Sequence, residues 1–227
     1  MTTTKAPTVR RIKRRAPSRY HHGDLRRALL DLALRVVERE GIEAVRLNVL
    51  ARELRVSVAA PFRHFPTREA LLVALTEEGA EQLVAVVNAA AARVVDPLEA
   101  QRARGVAYVR FAVEHPGWFS LLTRAELVRA SPRLRALSAS QESLMEPILG
   151  RQHRGRASRS VSRRSAGLLA AQALTYGLAR MVTDGLLGEV SADDAERLAV
   201  ELTGVLGEGL LERSSASRVS GSPGRAP

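Results

Sequence analysis

Residues 47–67 read LNVLARELRVSVAAPFRHFPT, and the spacing within this stretch decides the fold. Leu47, Leu50, Ala51 and Leu54 recur every three or four residues, which predicts a helix of about three turns with one buried stripe. Ser57 is suited to cap the next helix, because its hydroxyl can accept from an unpaired first-turn N–H. That second helix, Val58 to about Phe65, is short and stops before Pro66. Two short helices joined by Arg55-Val56-Ser57, with another helix beneath, have the proportions of a helix-turn-helix. In that motif the second helix lies in the major groove of DNA and its first residues meet base edges.

Working outward, Thr67 caps a long helix whose stripe includes Leu71, Leu75, Leu83, Val87 and Val94. Upstream, a helix from about His22 carries Leu25, Leu29, Leu32, Ala33 and Val37, and Gly41 suits the left-handed residue that ends it. Downstream, Asp96-Pro97 and Ser131-Pro132 each pair a capping side chain with proline at the first helical position. Ser191 with Asp194 resembles a capping box. His115-Pro116-Gly117 ends the helix that starts at Pro97. No sustained alternation of apolar and polar residues occurs, so the expectation is an all-α chain. Residues 1–19 form a disordered basic arm, 20–68 a helix-turn-helix domain, and 69–212 a helical ligand-binding and dimerisation domain. An Arg/Ser-rich linker, 151–164, lies within the last, and 213–227 form a disordered tail.

The 227 residues carry 35 Lys+Arg against 24 Asp+Glu, a formal charge of +11. Two acid-free stretches hold the whole excess: residues 1–19 with seven bases and 151–164 with six arginines. Without them the body is almost neutral, so the charge sits on segments that attract a polyanion. Cysteine is absent, which excludes disulfides, thiolate-zinc sites and cysteine nucleophiles. The basic N-terminus has no apolar run behind it and does not read as a secretory signal. The most apolar stretch, Ala166 to Leu187, is broken by Gln172, Arg180 and Asp184, which argues against a membrane span. A cytoplasmic location is expected.

Three stretches carry a family resemblance: Tyr20-His-His-Gly-Asp-Leu-Arg-Arg, Leu50-Ala-Arg-Glu-Leu, and Val56 through Leu72. Together they resemble the N-terminal domain of TetR-family repressors. His115-Pro-Gly-Trp-Phe and Ala173-Leu-Thr-Tyr-Gly-Leu-Ala-Arg further resemble the C-terminal domain of the WHG subgroup. The resemblance implies a homodimer that binds double-stranded DNA and is released by a small-molecule inducer, with no cofactor. By position it places Asn48, Val58, Ala59 and Ala60 toward bases and Phe62, His64 and Arg68 at phosphates, with Ser57 also among the DNA-binding residues. Arg68 also starts a helix, where backbone N–H groups favour anions. Arg55 stands at the usual turn glycine, which predicts a positive φ at a cost of about 1 kcal/mol. Phe62 replaces a tyrosine, and Gln172 and Tyr176 stand where the subgroup has tryptophan and histidine.

Tyr108, Phe111, Trp118, Phe119, Met145, Gln172, Tyr176 and Arg180 are candidates for a ligand cavity. The aromatic and methionine side chains among them equally suit an ordinary helical core. Arg180 serves equally well in an ion pair with Asp184, four residues on. Leu198, Leu202, Leu206 and Leu210 share one face of the last helix and are the candidate dimer surface. His21, His22 and Asp24 read as a helix start rather than a metal site, and His64 has no serine, cysteine or carboxylate at catalytic spacing. Neither a metal site nor an enzyme is expected. The second reading is a nucleoid-type DNA-binding protein without an inducer, marked by steep salt dependence and little sequence preference.

Overall fold

A computed structural model describes residues 24–149 and 166–219, with no side-chain placement for 145–149, 166 and 210–219. The basic arm 1–19, Tyr20 to His22 and the linker 151–164 therefore lie outside the described residues. The described residues are helical throughout, as their spacing predicts.

The N-terminal half begins with α1 (Leu25–Glu40), capped by Asp24, whose carboxylate accepts from the Arg27 N–H at 2.8 Å. Gly41 ends it at φ 85°, a conformation that costs glycine no side-chain clash. A 3-10 turn at Ile42–Ala44 leads into α2 (Leu47–Glu53). The long helix α3 (Arg68–Ala91) follows, with the Thr67 hydroxyl accepting from Ala70 N–H at 3.1 Å. Leu29, Leu32, Leu50, Phe65, Leu71 and Leu75 pack these elements around one core, each almost wholly removed from water.

The C-terminal half is built on α4 (Pro97–Glu114), which packs against α3 and against α8 (Ala166–Thr183) and α9 (Ala192–Val219). Three shorter or outer helices complete it: α5 (Pro116–Leu122), α6 (Ala125–Ala130) and α7 (Pro132–Leu149). The caps fall at the expected residues. Asp96 accepts from Leu98 and Glu99, Ser131 from Leu134, and Ser191 from Asp194. Gly105 is needed for close approach, because a Cβ there would stand 2.8 Å from Thr175 Cγ2 of α8. The last helix continues to Val219, past the expected tail boundary at 213. Ser214, Ser215 and Ser217 do not interrupt it, and the next helix breaker is Gly221.

Candidate nucleic-acid interface and ligand cavity

Helix α2 turns Leu47, Leu50 and Ala51 into the core and leaves Asn48, Val49 and Arg52 exposed. Its end is a Schellman motif. Arg55 adopts φ 57°, its N–H donates to Arg52 O at 3.1 Å, and Val56 N–H donates to Ala51 O at 3.0 Å. The left-handed arginine predicted from the sequence is therefore present, and it reverses the chain between the two helices of the motif.

The second element is not the regular α-helix expected over Val58–Phe65. Residues 58–60 form turns and Pro61–Arg63 a 3-10 helix. Pro61 is the cause: it has no N–H to give Ser57, so the Ser57 carbonyl accepts from Ala60 N–H at 2.9 Å instead. Ser57 thus closes a turn through its backbone and not through a capping hydroxyl. Pro61 and Phe65 are buried and fasten this element to the domain, and the Arg26 guanidinium lies 5.2 Å from the Phe65 ring centre. Ser57, Val58, Ala59, Phe62 and His64 face outward, with Ala60 half-buried at the edge. Half of Val58 and nearly half of Phe62 stay accessible, at 50% and 47%.

Arg68, expected at a phosphate, is engaged within the chain. Its Nε donates to Val45 O at 2.9 Å, and its Nη2 to Ile42 O at 2.7 Å and to Glu43 at 3.0 Å. The guanidinium binds the start of α3 to the Ile42–Ala44 turn, so its charge and most of its donors are spent inside the chain. The cations on the outer face are Arg46, Arg52, Arg55 and Arg63, all exposed, none of them in an ion pair among the described residues. Their signal is legible in the sequence: residues 46–63 hold these four bases and a single acid, Glu53.

A cavity of about 470 Å³ opens between α3, α4, α7, α8 and α9. Leu83, Val84, Val87, Leu98, Leu122, Leu134 and Leu137 supply an aliphatic wall, and Gln101, Arg104, Gly105 and Tyr108 form one stripe of α4 along it. Of the residues expected here, Tyr108, Gln172 and Tyr176 line it. Phe111 and Phe119 do not: both are 2% exposed and belong to the packed interior. Phe119 supports the cavity from behind, with ring centres 6.0 Å from Tyr108 and 6.4 Å from Tyr176. Trp118 turns the other way, stacks 6.2 Å from Phe111 and lies against Gly79 of α3. Arg180 pairs with Asp184 at 2.7 Å and borders a separate cleft with Glu38, Gly117 and Arg124. The Met145 side chain lies outside the described residues.

Among the described residues, four buried polar atoms lack a hydrogen-bond partner: Gln101 Oε1, Arg102 Nε, Arg104 Nε and Trp118 Nε1. The first three belong to residues that line the cavity. Arg102 has its charge offset by Glu99 at 2.7 Å. Arg104 instead bonds neutral acceptors, Asn88 Oδ1 and, at 3.4 Å, Gln141 Oε1. Burial pushes the Arg104 guanidinium down from the ordinary arginine value, though an arginine stays charged. Burial pushes the Tyr108 phenol up, with Tyr176 adding to the effect. Sequence reasoning missed Gln101 and Arg104, although polar side chains seven and four residues before Tyr108 on its inward face were the available signal.

On α9, Leu198 packs into the chain's own core beside Val109 and Ala195, and Leu206 packs on Leu98 and Leu168. These two expected dimer contacts thus already pack within the subunit, half-buried. Leu202 remains at the surface with Val200 and Val205, and the Leu210 side chain lies outside the described residues. Among the described residues no group of three His, Asp or Glu could hold a metal ion, and no helix is long and apolar enough to cross a membrane.

Residues 29–75, which span the α1 stripe, the helix-turn-helix and the start of α3, match the family described as bacterial regulatory proteins, tetR family. That stretch, about a fifth of the chain, is similar to the family's DNA-binding domain. Over 80 residues it is 38% identical to the HTH-type nicotine-responsive transcriptional repressor HdnoR of Paenarthrobacter nicotinovorans, covering 35% of this chain and 39% of that protein. The likeness extends further in solved structures. A protein of unknown function from Rhodococcus sp. RHA1 superposes with a TM-score of 0.63 at 29% identity, over 84% of this chain and 97% of the other. The TetR family transcriptional regulator PfmR from Thermus thermophilus gives 0.54 at 25%, over 79% and 97%. The likeness thus joins a tetR-like helix-turn-helix segment to an all-helical fold shared with these solved structures.

Proposed function

We propose that the chain is a ligand-responsive transcriptional repressor that binds an inverted-repeat DNA site as a homodimer in the cytoplasm. The observation that carries this reading is the outer face of the helix-turn-helix. Asn48, Ser57, Val58 and Ala59 stand exposed on it, ringed by four arginines that have no carboxylate of their own among the described residues. Asn48 can pair bidentately with adenine, and the short apolar side chains suit thymine methyl groups. Phe62, His64, Arg46, Arg55 and Arg63 take the backbone, where contacts position the protein without reading sequence. Repression is supported by the likeness to HdnoR, and an inducer by the cavity, whose size and aliphatic wall suit a small molecule.

Dimerisation rests on the outer faces of α8 and α9, where Leu169, Met181, Val200, Leu202 and Val205 remain exposed. The C-terminal half then plays the part that its resemblance to the WHG subgroup implies. A ligand that fits better when the two reading elements are misplaced weakens DNA binding by that difference in affinity. Selection of binding sites from random DNA tests the reading: the expected product is a two-fold symmetric site. A product without symmetry, with steep salt dependence and no sequence preference, would indicate a nucleoid-type protein instead.

A further inference from the structure

The cavity has an uneven distribution of charge that specifies its occupant. Arg102 is offset by Glu99, and Glu142, the one acid in the lining among the described residues, is itself engaged. Arg104 has no carboxylate within ion-pair distance among the described residues, and its Nε is buried without an acceptor. Asn88 and Gln141 hold its Nη1, so the guanidinium is fixed in place but not neutralised. Leaving such a group unpaired in an apolar wall is costly. Four residues along the same helix face stands Tyr108, whose hydroxyl has no hydrogen-bond partner among the described residues. The third member of the stripe, Gln101, buries an amide oxygen with no donor; turned about its terminal bond the same amide presents an N–H there. Much of the remaining lining is aliphatic: Leu83, Val84, Val87, Leu134 and Leu137.

We infer that the cavity binds an amphipathic monoanion, with an aliphatic body among these leucines and valines and a carboxylate-type head against Arg104 and the Tyr108 hydroxyl. An anionic head accepts from the orphaned guanidinium and phenol, whereas a cationic head is repelled by Arg104 and a neutral head leaves its charge unmatched. The inference rests on the reading of this cavity as the inducer site and gives that site a ligand class.

Titration calorimetry of the full chain with decanoate, decan-1-ol and decylammonium tests it. Decanoate is expected to bind roughly tenfold or more tighter than decanol, as a charge-assisted hydrogen bond requires, and decylammonium weakest. Arg104→Gln should bring decanoate down to the level of decanol and leave decanol unchanged, while Arg104→Lys should restore part of the preference. Equal binding of the three, a preference for decylammonium, or no binding of decanoate overturns the inference, and this wild-type series decides even if Arg104→Gln fails to fold. A separate measurement of DNA release keeps the two claims apart. Decanoate bound in the expected order without loss of DNA affinity upholds the ligand class and refutes the inducer reading.

Discussion

The two halves of the molecule use arginine in opposite ways. In the helix-turn-helix half, inward cations are matched: Arg68 ties down the carbonyls of Ile42 and Val45, and Arg27 pairs with Asp31 and Glu78. The unmatched cations of its reading face point to solvent. In the C-terminal half Arg104 points inward, at an apolar cavity, and the four orphaned buried atoms among the described residues all belong to α4 or α5. The first half spends its polar groups on holding a shape and turns its surplus charge outward, to the face where the proposed function places DNA. The second half keeps unpartnered polar atoms beside a cavity, which the proposed function assigns to a ligand. A buried polar group without a partner is costly in a packed core, and beside a cavity it can be satisfied by whatever occupies the space.

The largest expected contrast is in packing. Leu71 is wholly buried in the N-terminal core, so Leu71→Ala removes contacts on every side and should cost about 2–5 kcal/mol in urea unfolding. Leu83 borders the cavity, and Leu83→Ala enlarges a space that already exists, so about 1 kcal/mol or less is expected. Equal losses would mean that the cavity wall is packed as tightly as the core.

Arg68 and Arg63 sharpen the same contrast within one domain. Arg68→Ala strips donors from two carbonyls and should cost about 1–3 kcal/mol of stability, while the slope of log affinity for the selected DNA site against log salt stays unchanged. Arg63→Ala should leave stability within about 0.5 kcal/mol and flatten that slope by about one unit per subunit. A flattened slope with unchanged stability for Arg68→Ala would return that residue to the DNA backbone.

How far the sequence can be read follows from how local the determinants are. Caps at Thr67, Asp96 and Ser131 depend on residues within one turn, and the local sequence places them, whereas the left-handed Arg55 was expected from the family resemblance. The 3-10 geometry over Pro61–Arg63 is equally local, yet apolar spacing hides it, because the decisive fact is the donor that Pro61 withholds from Ser57. The cavity is legible only in outline. It requires residues of α3, α4, α7, α8 and α9 to converge, and periodicity tells which side of a helix is inward without telling whether that side meets a neighbour or a void. Phe111 and Phe119 carry the same inward signal as Tyr108, and only tertiary packing separates them. The stripe on α9 is ambiguous for the same reason: Leu198 and Leu206 pack within the chain, and spacing alone does not distinguish that from an intersubunit contact.

The smallest expected effect is at Arg55, where the two demands on arginine meet in one residue. Its φ of 57° lies in the region where a Cβ crowds the following carbonyl, at a cost of about 1–2 kcal/mol. Arg55→Gly removes that cost but adds freedom to the unfolded chain, which takes back about 0.5–1 kcal/mol. The remainder, about 0.5 kcal/mol in favour of the variant, should raise the urea midpoint slightly with an unchanged m-value. The same change deletes one of the four exposed cations around the reading face, so DNA affinity should fall and its salt slope should flatten. Stability and DNA binding thus move in opposite directions from a single substitution. On the proposed function, that opposition is the reason an arginine stands at a turn that glycine would make without strain. A variant that lost stability along with DNA affinity would show instead that the Arg55 side chain supports the turn.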